Sequence, residues 1–126
     1  MINIIHNREK KSNFYIITDH LRTTIFALAD GATFESKGRG YILRKLIKKV
    51  VLLSYSFHLT IEDLIKVSEK LIEINSSYYH QLEKKNFLII DKIKKEINKS
   101  LKLINDSIEK LNKYYSPTIT AQDIFF

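Results

Sequence analysis

The chain has no cysteine. Disulfides and thiolate metal sites are thereby excluded, and a reducing, cytoplasmic setting is the expectation. It has one proline, Pro117, and three glycines, Gly31, Gly38 and Gly40, which fall within ten residues. A sheet protein needs many turns, so such sparse punctuation points to long helices with few breaks. Apolar runs stay short, as at Ile25 to Ala29 and Val50 to Leu53. They fall far below the roughly 20 residues of a bilayer span, so no membrane partner is expected. The stretch Met1 to His6 lacks the charged start and apolar core of a leader, and no targeting segment is expected.

What is present is a core's worth of apolar residues and an excess of positive charge. Of 126 residues, 44% are hydrophobic, enough to fill the interior of one domain. Lys and Arg number 21 against 14 Asp and Glu, a net charge of +7. Residues 1–60 carry ten basic and four acidic side chains, whereas residues 61–126 carry eleven and ten. One-sided positive charge suits an anionic partner such as nucleic acid. A soluble protein of high pI has the same balance.

The periodicity predicts an all-α bundle of about four helices. Residues 1–12 read as a flexible segment, with Ser12 as the cap of a first helix over about Phe14 to Ala29. There, Ile17, Leu21, Ile25 and Leu28 recur on one face, and Asp30-Gly31 ends the helix through glycine's access to left-handed backbone. After a loop over 32–40, a second helix is expected over Tyr41 to Ser56. Its apolar half holds Ile42, Leu43, Leu46, Ile47, Val50 and Leu53, and its opposite half holds Arg44, Lys45 and Lys48, with Lys49 at the edge. Thr60, with Asp63 three residues on, marks the cap of a third helix over Ile61 to about Asn75. Ser76-Ser77 breaks the pattern. One long helix then spans about Tyr79 to Tyr114, with a nearly heptad stripe from Ile90 through Ile93, Ile97, Leu101 and Ile104 to Leu111. Ser116-Pro117 closes the helical domain, 13–115, and 116–126 reads as the truncated start of a further segment.

Catalytic patterns are absent. The histidines His6, His20, His58 and His80 contain no i,i+3 or i,i+4 pair, so no helical metal site is expected. No nucleophile elbow, phosphate loop or dinucleotide fingerprint occurs, and no cofactor is expected. The positive signal is Gly38 to Lys49. Glycines permit close backbone approach, amides at a helix start favour phosphate, and an arginine's planar fork matches phosphate oxygens. Tyr41 offers a ring for stacking on a base or ribose. The same pattern also suits an ordinary solvated helix face.

Three stretches in order carry a specific resemblance. They are Thr18-Asp19-His20-Leu21-Arg22-Thr23, then Ala29-Asp30-Gly31, then Gly38-Arg39-Gly40-Tyr41-Ile42-Leu43-Arg44-Lys45 with Lys48-Lys49. This arrangement resembles alanyl-tRNA synthetases, which read Ala-Asp-His-Ile-Arg, Asp-Gly and Arg-Gly-Tyr-x-Leu-Arg-Arg at matching spacings. The tail Thr118 to Phe125 is similar to the family's Ile-Ser-Gly-Glu-x-Ala-Phe segment. The resemblance implies the helical region that follows the class II catalytic domain and holds the tRNA acceptor stem. It implies RNA contacts at Arg39, Arg44, Lys45, Lys48 and Lys49, with Tyr41 and Ser36 positioning the loop. Ser36 stands where the family has an asparagine that helps read a G–U wobble pair, and Phe34 where it has a loop proline. Serine bonds in both directions but lacks the amide's reach. The class II motifs for ATP and alanine would precede Asp19, where 18 residues stand, so alanine activation by this chain alone is not expected. A separate or upstream catalytic domain is the implied partner. The alternative is a protein-interaction module docking through the long helix and the tail Ile124-Phe125-Phe126.

Overall fold

The computed structural model describes the backbone of residues 2–114 and the side chains of residues 10–113. Five helices follow in order: α1 (Ile2–Ala29), α2 (Gly38–Ser56), α3 (Ile61–Asn75), α4 (Gln81–Lys84) and α5 (Asn86–Tyr114). No strand occurs among the described residues, so the chain is all-α with one long C-terminal helix. Residues 116–126, with the tail Ile124-Phe125-Phe126, lie outside the described residues. No helix of the described residues is long and apolar enough to cross a membrane.

α1 packs on α2, and α2 and α3 both pack on α5. The shared core draws Leu21 and Ile25 from α1, Ile47 and Val50 from α2, Leu64 and Ile72 from α3, and Ile93 and Ile97 from α5. Each such side chain contributes about 1.5–3 kcal/mol on full burial. Ile93, Ile97 and Ile104 are buried, so this part of the heptad stripe is used inside the molecule. Buried hydroxyls turn back on their own helices: Thr24 donates to the His20 carbonyl and Ser68 to that of Leu64.

Two helix boundaries differ from the sequence expectation. α1 starts at Ile2, so Ser12 sits inside the helix and not at its cap. No glycine or proline precedes Gly31, and nothing local stops the helix from extending upstream. The expected helix over Tyr79 to Tyr114 is two helices, α4 and α5, parted at Lys85. There the Lys85 Nζ donates to the Ala29 carbonyl at 2.8 Å, filling one of the acceptors left open at the end of α1. Tyr79 donates its hydroxyl to the Asp30 carboxylate, and its ring lies 5.4 Å from that of Phe26. α3 matches its expected span, and Thr60 and Asp63 close the capping box in both directions.

Candidate nucleic-acid interface

The loop before α2 is held from both ends. At its start, the Gly31 amide donates to the Leu28 carbonyl and the Ala32 amide to that of Ala27, with Gly31 at φ +99. This is the paired bonding of a glycine-terminated helix. At its end, Gly40 lies against the loop itself. A Cβ there would stand 2.4 Å from the Thr33 carbonyl oxygen and 2.6 Å from the Glu35 amide nitrogen. The close approach expected of these glycines is therefore made by Gly40, and it is made to the chain's own loop. Phe34 packs on the core, while Ser36 and Arg39 are exposed. Lys37 occupies the N-cap in extended conformation, and its side chain makes no capping bond.

α2 sends Leu43, Ile47, Val50 and Val51 inward. Ile42, expected on the apolar half, is 58% exposed. Leu53, at nearly the same angle three turns further on, is buried, so the exposure of Ile42 reflects its place near the start of α2 and not its angle alone. On the outward side Tyr41, Arg44, Lys45 and Lys48 line a cavity of about 250 Å³. Its other wall is α5, which supplies Glu96, Lys99, Ser100 and Leu103. Ser36, Arg39 and Lys49 are not part of this lining. The Lys45 Nζ stands 4.8 Å from the centre of the Tyr41 ring, a cation–π contact that holds both side chains at the rim.

Arg44 sits at the floor. Its Nε lies 3.5 Å from the Glu96 Oε1, and the two side chains are 32% and 11% exposed. The Nε is buried and completes no hydrogen bond among the described residues. The pair ties α2 to α5 and neutralises the one carboxylate of the cavity, leaving the lysines to set its sign. Sequence reading missed the α5 wall. Its signal was Glu96 itself, a carboxylate beside Ile93 and Ile97 on a core-facing edge, which demands a cation from a neighbouring element.

Asp19 and Arg22 pair with each other at 3.0 Å on the surface of α1. They line a different cavity, beside Tyr15 and Tyr78. No group of three or more His, Cys, Asp or Glu side chains placed to hold a metal occurs among the described residues.

The model of the family described as tRNA synthetases class II (A) matches residues 3–125. An alanine–tRNA ligase of Bacillus pumilus is 30% identical over 125 residues, covering 94% of this chain and 14% of the relative. One of Malacoplasma penetrans is 34% identical over 113 residues, covering 89% of this chain and 12% of the relative. One of Latilactobacillus sakei is 34% identical over 120 residues, covering 90% and 14%. The chain thus spans only 12–14% of the length of these relatives. No solved structure gives a significant match.

Proposed function

Since this chain belongs to the class II alanyl-tRNA synthetase family, we propose that it is a tRNA-binding helical module that holds the acceptor stem against α2. It serves aminoacylation only together with a catalytic domain, in the same polypeptide or a separate one. The observation that carries this reading is the convergence of Tyr41, Lys45 and Lys48 on one open face, with Arg44 fixed beneath them. Lysine ammonium groups at helical spacing neutralise successive phosphates. Arg39 and Ser36, exposed at the start of α2, extend the contact along the strand, with the Ser36 hydroxyl near the wobble pair. Lys49, on the flank of α2, reaches a phosphate outside the cavity. Phosphate contacts position a nucleic acid without reading its sequence, so affinity for tRNA exceeds selectivity among tRNAs.

The test is binding of a fluorescent acceptor-stem minihelix to the wild-type chain and to the Lys45→Ala/Lys48→Ala double variant. Both lysines are on the helix surface and alanine is a good helix former, so the fold is kept. A loss of tenfold or more, similar for every minihelix sequence, is expected at about two lost phosphate contacts. Unchanged affinity refutes the reading.

A further inference from the structure

The basic motif lies wholly on α2, yet the cavity it faces has a second wall. We propose that Lys99 and Leu103 of α5 are RNA-contact residues, so that the strand lies in a two-helix groove and not on a single helix face. This rests on the tRNA-binding reading and extends it to an element that no motif marks.

Three observations carry the inference. First, the cavity of about 250 Å³ between α2 and α5 continues into a second of about 260 Å³, and both are lined by Lys48, Ser100 and Leu103. Together they form one open groove along α2 and α5, into which a phosphate and its ribose can reach. Second, the charge is complementary to such an occupant. Lys45 and Lys48 stand on one wall and Lys99 on the other, while Glu96 is engaged with Arg44. Lys99 is exposed and makes no ion pair among the described residues. Third, Leu103 is 62% exposed and lies in the groove, whereas Phe87 and Leu88, likewise exposed on α5, lie outside its lining. An open leucine between cationic rims matches the alternation of a nucleic-acid strand, apolar sugar face between charged phosphates. Ser107, at the far end of the groove, donates to the Leu103 carbonyl at 2.8 Å. Its oxygen still has acceptor capacity for a ribose 2′-hydroxyl, the group by which a protein tells RNA from DNA.

The experiment compares Lys99→Glu and Leu103→Gln with Lys94→Glu, an exposed α5 lysine outside the groove lining. The probe is the acceptor-stem minihelix, with circular dichroism as the check on folding. Lys99→Glu is expected to weaken binding about tenfold or more and to lower the salt slope by about one, the signature of one lost phosphate contact. Leu103→Gln is expected to weaken it a few-fold with the slope unchanged. Lys94→Glu is expected to cost clearly less than Lys99→Glu. If Lys99→Glu costs no more than Lys94→Glu while Lys45→Ala/Lys48→Ala still weakens binding tenfold or more, the α5 wall is not a contact and the inference falls alone. If the α2 double variant binds as the wild type does, the underlying reading falls first.

Discussion

Arg44 and Glu96 join α2 to α5 through a contact in which the two partners are unequally buried: the Arg44 side chain is 32% exposed and that of Glu96 only 11%. The inequality sets which loss hurts more. A guanidinium at the cavity floor can turn to water when its partner goes, whereas a carboxylate at that depth cannot.

Arg44→Ala should therefore destabilise more than Glu96→Gln, by about 2–3 kcal/mol against about 1 kcal/mol. Urea denaturation of the two variants checks this. Equal costs would mean that the pair is held at the surface and carries no structural asymmetry. Replacing both by apolar residues of similar volume should recover most of the loss.

Gly40→Ala should be destabilising although alanine is the better helix former by about 1 kcal/mol. The added Cβ would stand 2.4 Å from the Thr33 carbonyl oxygen, and relief of such crowding costs about 1–3 kcal/mol. Thermal unfolding gives the sign directly. A stabilised variant would show that the loop does not rest on α2.

The Tyr79 hydroxyl bonds to the Asp30 carboxylate, which holds the phenol's pKa above its ordinary value of 10.0. The cause is the hydrogen bond itself, with smaller additions from burial and from the negative charge of Asp30. The folded state thus retains this proton longer than the unfolded chain does. The stabilisation is complete below the unfolded pKa and is lost as pH rises through the folded one. Ultraviolet titration should show one late tyrosinate that disappears in Tyr79→Phe. A titration curve of the same shape in that variant would contradict the contact.

Much of this was legible because it is local. Thr60 and Asp63 announced α3 because a capping box needs only neighbours in sequence. Gly31 announced the end of α1 for the same reason. The buried faces of α1 and α5 followed from their periodicity, Ile17 to Leu28 and Ile93 to Ile104. What was hidden depends on residues far apart in the chain. The break at Lys85 is tied to the Ala29 carbonyl, 56 residues away. The exposure of Ile42 and the pairing of Arg44 with Glu96 depend on which arcs of α2 and α5 meet, and a helical wheel does not contain that. Of the cavity between α2 and α5, the α2 residues stood in the motif, while the α5 wall became visible only with the helices in place.

RNA binding by the basic face of α2 is tested most directly by its salt dependence. Anisotropy of a labelled acceptor-stem minihelix, titrated with the wild-type chain between about 50 and 300 mM salt, measures it. With four to five cations on phosphates, log K should fall linearly against log salt with a slope of about −4. No binding at about 50 mM, or binding that ignores salt, would contradict the claim that the basic face of α2 is built for an RNA backbone.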